Sequence, residues 1–573
     1  MSDATVGPHS SAAAIARYLK AQGVTRVFAL CGGHIMPIWM RLHAEGIAIV
    51  DVRDERAAVY MAHAHAEVSG QLGVALVTAG PGVTNAMTGV ANAHVARASV
   101  LVLSGAPPQA QENRGALQDI PHPELLKPIT RYARTVRHPD LVLQEMDEAC
   151  ARALGHGGEP GPVFLDFPVD TQRGQPAPAT WLPERFERRT KPVLLPCPAD
   201  IERAVELLWQ AQRPLVITGH GAKWVGSELI ELLDRTGAVY LDTAESRGLV
   251  PGHHPAHVGA LRGALMGQAD VVLLLGRKLD FQLAYGSPAV FKDTRFIRVA
   301  DHPAELRDNR RGAVEVLASV DEAIKAMLRT AGNRAGASYV ADWREPLNQK
   351  HVARSSAYLA AMHQEPPGRD GLMHPNRLLA ALRDAVGPNA TVVADGGDFL
   401  SFTRVGLPGK TYLDPGPLGC IGVGTAFGIA ASLHDASHPV VVATGDGAFG
   451  FNAMEVCTAA RHQAPVLIVV ANNGAWAIEV RDQAETHGKV VGTKLQFANY
   501  AAMAQAFGLH AARVSDPAAL PDAIHTALTH LPALLDVTVT PEAVSSDAKS
   551  GLAWVPNLQA LKTWDDAEQA WRA

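Results

Sequence analysis

The stretch from Val440 to Asn473, VVVATGDGAFGFNAMEVCTAARHQAPVLIVVANN, leaves little freedom for the fold. A β-branched run, a glycine turn, a segment of helical period and a second apolar run ending in two amides make a strand, turn, helix, strand unit of a parallel sheet. Both strands of such a unit point the same way. The Asp446 carboxylate and the Asn473 amide, 27 positions on, therefore emerge side by side at the carboxyl edge, where open α/β sheets bind ligands. With the nearby backbone carbonyl of Ala475 they offer hard oxygens that suit Mg²⁺, leaving positions for phosphate oxygens. The glycines let the N–H groups of Gly447 and Ala448 approach a phosphate at the helix start. By itself a Gly-Asp-Gly turn is equally an ordinary βα turn with a capping Asp; the double Asn at this spacing favours a diphosphate-magnesium clamp.

A second unit of the same plan lies near the amino terminus. GVALVTAGPGVTNAMTGVANAHVARASVLVLSG is again a strand, a G-x-G turn (Gly80-Pro81-Gly82), a helix and a strand. Just before it, IAIVDVRDERAAVYMAHAHAEVSG ends a strand at Asp51 to Asp54 and begins a helix with Glu55. In isolation that carboxylate reads as a charge complementing the helix dipole. Cys31-Gly32-Gly33-His34 is a turn where backbone passes close to something, and His34 is either a structural turn histidine or a substrate ligand.

At 573 residues the chain is too long for one core, and three or four domains are expected. With 47% apolar and 19% charged residues it is a globular composition, and a net charge of −6 without a basic block makes nucleic acid an improbable partner. The apolar runs are too short to span a bilayer, and five scattered cysteines read as reduced thiols, so a cytoplasmic protein is expected. Polar, proline-rich stretches at 168–197 and about 330–370 read as linkers. The division is then 1–185, 198–335 and 365–573, each an α/β domain with a doubly wound parallel sheet, with a tail from Ser545 that is either a packed arm or a lid.

The Gly445 unit with its double Asn resembles the diphosphate-binding motif of thiamine-diphosphate (ThDP) enzymes of the acetolactate-synthase-like group. The resemblance implies that Asp446, Asn473 and the Ala475 carbonyl bind Mg²⁺, and that Glu55 hydrogen-bonds the aminopyrimidine and so favours loss of the reactive thiazolium proton. Gly80-Pro81-Gly82 and Asn85 would shape the pyrimidine pocket. In GPLGCIGVGTAFGIAASL the Gly419 carbonyl would accept from the cofactor's amino group and Ile421 would prop its bent shape. ENRGALQDIPHPELLKPITRYARTV resembles the loop carrying an active-site glutamine, here Gln118, with Leu117 where the group often has Phe. Family members place the cofactor between two chains, which implies at least a homodimer and commonly a tetramer.

The middle segments RPLVITGHGAKWVG and LLLGRKLDFQLAYG resemble those of oxalyl-CoA decarboxylases and 2-hydroxyacyl-CoA lyases. That implies ADP rather than FAD in the middle domain, with Arg277 or Lys278 at its phosphates; an empty structural domain is the other reading. It also implies a 2-hydroxyacyl-CoA lyase, splitting its substrate to formyl-CoA and an aldehyde or ketone. An acetolactate synthase-like carboligase or a 2-oxo acid or oxalyl-CoA decarboxylase is the alternative, and a non-catalytic nucleotide-binding protein of the same fold a remote one. Lys494, in VVGTKLQFANY, falls where relatives contribute substrate-facing residues, and is otherwise a solvated loop lysine.

Overall fold

A computed structural model describes residues 7–334 and 340–546, together with Asp566, Gln569, Ala570 and Ala573. The expected arm or lid, with Trp554, Trp564 and Trp571, lies outside the described residues. Three sheets form, and every strand pair in them is parallel. The first holds β1 (Arg26–Ala29), β2 (Ala48–Asp51), β3 (Gly73–Val77), β4 (Val100–Ala106), β5 (Tyr132–Thr135) and β6 (Val163–Pro168) in the order β2-β1-β3-β4-β6-β5. The middle sheet holds β7 (Pro214–Thr218), β8 (Val239–Leu241), β9 (Val271–Leu275), β10 (Arg295–Ala300) and β11 (Val314–Leu317) in the order β11-β10-β9-β7-β8. The third holds β12 (Thr391–Asp395), β13 (Thr411–Leu413), β14 (Val440–Gly445), β15 (Val466–Asn472), β16 (His510–Val514) and β17 (Ala533–Thr538) in the order β13-β12-β14-β15-β17-β16.

The first and third orders are the same, strand for strand. The likeness read from two short units therefore extends to whole sheets, with the Gly80 turn after β3 equivalent to the Gly445 turn after β14. The central strands are buried on both faces, which is why they are nearly continuous Val, Leu, Ile and Ala runs rather than alternating ones.

These two domains pack on each other within the chain. Helix Gly424–His434 is buried over almost its whole length between its own sheet and helix Glu55–Ser69. That explains a sequence apolar all round, GTAFGIAASLH. Phe427 meets Tyr60 and His63 edge-on, with ring centroids 6.3 and 5.1 Å apart, and the Tyr60 hydroxyl is 2.9 Å from Cys420 Sγ. Truncating such a buried Phe to Ala costs ~3–5 kcal/mol.

The expected second linker is in part wrong. Residues Val340–Met362 form a 23-residue helix despite Pro346. It is a strut: Trp343 and Leu347 pack on the middle domain, and Met362 enters the core of the third. Its apolar contacts are divided between two domains along a narrow stripe, so no broad apolar face announces it. Among the described residues no helix is long and apolar enough to cross a membrane.

Candidate active site

The structure gathers the expected residues into two groups. Gly419, Ile421, Asp446, Gly447, Ala448, Asn473 and Ala475 all line one cavity of about 1940 Å³ between the middle and third domains. That lining contains none of Glu55, Gly80, Gly82, Asn85, Gln118 or His34.

At the third sheet's edge, Asp446 opens a short helix directly after β14 and is only 2% exposed. Its Oδ2 accepts from the Gly474 N–H at 3.1 Å. Burial pushes its carboxyl up to about 6, with backbone N–H groups opposing, and none of the causes is a cation. A buried carboxylate balanced only by N–H dipoles is a site for a divalent ion. Asn472, the last residue of β15, and Asn473, the first beyond it, divide the work. Asn472 points inward and donates to the Ala498 carbonyl and to Asp536 Oδ1, both at 2.9 Å. Asn473 reaches the cavity, its Oδ1 accepting from the Ala475 N–H at 3.0 Å. Ala475 pairs with Lys494 across an antiparallel bridge, between the bonds Trp476 N–H to Thr493 carbonyl and Leu495 N–H to Gly474 carbonyl. The bridge's hydrogen bonds thus leave the Ala475 carbonyl unused, and the Lys494 side chain is exposed opposite it. The donor set Asp446, Asn473 and Ala475 fits Mg²⁺ and a diphosphate.

Gly447 has a further constraint, since a Cβ there would lie 2.5 Å from the Trp476 ring. Asp395, at the end of β12, was missed by the sequence reading. Its carboxylate accepts from the N–H groups of Gly396, Gly422 and Gly424 and so shapes the turn carrying Gly419 and Ile421; burial pushes it up to about 6.

At the first sheet's edge, Glu55 is 6% exposed and accepts from Asn85 Nδ2 at 3.0 Å. Gly80 has φ +61°, and a Cβ on it would lie 2.7 Å from that of Gln118, so only glycine serves there. Gln118 itself has φ +65° and hydrogen-bonds His34, whose imidazole pKa is lowered by burial against the raising effect of that bond. Beneath them lies His122, 1% exposed and also missed. The Gly80 N–H donates to His122 Nε2 at 2.8 Å, so Nδ1 carries the proton and donates to Asp166 at 2.8 Å. The signal was present in ALQDIPHPE, but a histidine among prolines is indistinguishable from a loop residue until Asp166 is beside it.

From the third domain, Glu455 reaches across to this edge. It is fully buried, accepts from the Arg53 N–H and Thr458 hydroxyl, and is pushed up to about 7 by burial. It fixes the loop that delivers Glu55. In the middle domain, Arg277 is buried and faces Asp280 at 2.8 Å, Gln282 at 3.2 Å and Glu245 at 3.7 Å. The expectation that it meets a nucleotide phosphate is therefore corrected: its charge is already matched by carboxylates.

Three family models match the chain: the N-terminal thiamine pyrophosphate (TPP, the same cofactor as ThDP) binding domain of thiamine pyrophosphate enzymes over residues 9–125, their central domain over 201–327 and their C-terminal TPP binding domain over 396–537. The acetolactate synthase large subunit IlvG of Mycobacterium tuberculosis is 33% identical over 555 residues, covering 94% of this chain and 97% of its own. The 2-hydroxyacyl-CoA lyase 2 of Homo sapiens is 31% identical over 544 residues, with 86% and 83% covered, and that of Caenorhabditis elegans 30% over 534, with the same coverage. With a TPP binding domain matched at each of the two edges just described, the chain belongs to the thiamine pyrophosphate enzymes.

Proposed function

We propose that the protein is a ThDP-dependent 2-hydroxyacyl-CoA lyase, breaking the bond between C1 and C2 of a 2-hydroxyacyl-CoA to give formyl-CoA and an aldehyde or ketone, or joining them. The observation that carries this reading is the cavity itself. From the Asp446 and Asn473 edge it extends to a wall with His253, Arg354, Arg383 and Lys410, basic groups suited to the phosphates of a coenzyme A. The lyases among the relatives support it. Their acetolactate synthases, at slightly higher identity and coverage, favour a second reading, carboligation of 2-oxo acids.

In this proposal Asp446, Asn473 and the Ala475 carbonyl hold Mg²⁺ and, with the N–H groups of Gly447 and Ala448, the diphosphate. Ile421 and the Gly419 carbonyl line the ring site. Bound there, ThDP would supply the electron sink that lets a carbon-carbon bond beside a carbonyl break or form. Glu55 shares a proton with the pyrimidine nitrogen, and Asn85 orients its carboxylate. His34 and Gln118 donate to substrate oxygens, and Lys494 presents a cation at the cavity's rim. Because the Glu55 group and the Asp446 group share no cavity, each is completed by a second copy of the chain. Exposed apolar side chains beside each group fit such a contact: Leu117 is 78% exposed, and Phe451 and Met454 are each 47% exposed. A homodimer is the minimum, and a tetramer a pair of these.

The test is mass spectrometry of products from a panel of 2-hydroxyacyl-CoA thioesters and 2-oxo acids given to the ThDP- and Mg²⁺-loaded protein. Formyl-CoA with the matching aldehyde or ketone is expected. Pyruvate turned over far faster than any thioester would replace this reading with the carboligase.

A further inference from the structure

Ligands of an open doubly wound sheet bind at the carboxyl ends of its strands, where the strand order reverses. In the middle sheet that point lies between β9 and β7. The groups there are Gly219 to Ala222 after β7, Gly276 to Lys278 after β9, and Asp301 and His302 after β10. Each is already engaged. The Gly221 N–H, which would face a phosphate, donates to the Gly276 carbonyl at 3.0 Å. His220 and Lys223 lie on Glu67 of the first domain, at 3.2 and 2.5 Å.

The centre of the edge is occupied from outside. Glu159, in the loop before β6, reaches across from the first domain with its side chain 16% exposed. Its carboxylate is 3.0 Å from Arg131, 3.6 Å from Arg97, 3.8 Å from Lys278 and 3.9 Å from His302. Burial pushes it up, but Arg97, Lys278, Arg131 and His302 outweigh burial and hold it below the usual carboxylate range. Arg97 also meets Asp301 and Glu305, both at 2.8 Å. Three permanent cations (Arg97, Arg131, Lys278) thus face three carboxylates (Glu159, Asp301, Glu305). The charged groups around them, Lys191, Lys223 and Arg277 against Glu67, Glu245 and Asp280, add three of each sign, so the cluster is neutral without a ligand.

We infer that Glu159 stands where a diphosphate would bind, and that the middle domain of this chain takes neither ADP nor FAD. A diphosphate would bring at least two negative charges to a balanced cluster. It would sit uncompensated beside Glu159, or displace it and leave a carboxylate stranded between domains, and both are unfavourable. The switch point of the middle sheet is then closed by the first domain and serves to hold the two domains together.

The experiment uses the ThDP- and Mg²⁺-loaded full chain with coenzyme A in excess, so that the diphosphate edge of the third domain and the basic wall of its cavity are both filled. Acid extracts of purified protein are expected to release no ADP or FAD, and added ADP is expected to leave the Tm of the wild type unchanged. Glu159→Gln removes one negative charge from the nest and is expected to acquire an ADP-dependent rise in Tm that fades with salt; Glu159→Ala replaces it if the amide variant fails to fold. Release of either nucleotide at near one per chain from the wild type overturns the inference. So does an ADP response that is the same in wild type and variant, including none in either.

Discussion

After β3 the first sheet turns through Gly80-Pro81-Gly82, and its carboxylate comes from two strands away, after β2, as Glu55 beside the amide of Asn85. After β14 the third sheet turns through Gly445-Asp446-Gly447, and the carboxylate is in the turn itself, surrounded by backbone N–H groups. One strand order thus presents two different edges. An acid placed in the turn is aimed at whatever lies against the helix start and suits a metal and phosphate. An acid at the start of the neighbouring helix, with an amide partner, is left to meet a ring nitrogen. Strand order decides where a ligand binds, and in the proposed reading a shift of the carboxylate by two strands decides which part of it.

The comparison breaks first at the metal. Asp446→Ala is expected to leave the fold intact and to weaken Mg²⁺ and ThDP retention at least ~100-fold, since even partners of a ligand cost 10–100-fold. Calorimetry showing unchanged cofactor affinity would falsify the clamp. Glu55→Gln is expected to keep ThDP but slow C2 hydrogen-deuterium exchange on the order of 10²–10⁴-fold. Exchange at the wild-type rate in that variant removes Glu55 from proton transfer.

Mixing the two inactive variants tests whether the edges meet across chains. A mixed dimer of Glu55→Gln and Asp446→Ala chains has one intact site if each site draws on both chains. Random pairing then restores about a quarter of wild-type activity. No recovery, with mixed dimers verified by native mass spectrometry, places both groups of a site in one chain.

A smaller effect concerns pH. The Asp446 pKa is raised to about 6 from 3.8, so the metal-free fold is favoured by the protonated form. That stability is fully present below 3.8 and is lost as pH rises through about 6. Mg²⁺ takes the ionised form, so its apparent affinity should be flat above about pH 6 and fall tenfold per unit below. A flat profile down to pH 4.5 would show that Asp446 is not the ligand that titrates. Smallest of all, Lys494→Glu should change the rate of thioester cleavage only about two- to fivefold, upward if the acid helps to take the 2-hydroxyl proton. Unchanged rates make Lys494 a solvated loop residue.

Much of the fold was legible because buried parallel strands announce themselves as apolar runs, and glycine turns mark where they end. Short edge strands such as β11, β13 and β16 lacked that signal, and so did the Val340–Met362 strut, whose contacts are shared between domains. At the site, Asp446 and Asn473 could be placed together from spacing alone, because two parallel strands with one helix between them fix both ends. What spacing could not give was any partnership between distant segments. His122 with Asp166, Glu455 with the Arg53 N–H, and Asp395 with the Gly422 and Gly424 N–H groups exist only once the chain has closed.

The middle domain marks the same boundary most clearly. The sequence by itself determined three α/β domains and which residues gather at two sheet edges, since local periodicity and turn chemistry are written in contiguous residues. Only the tertiary structure decided that Glu159, more than a hundred positions from Lys278, neutralises the third edge, because charge balance is a property of neighbours in space.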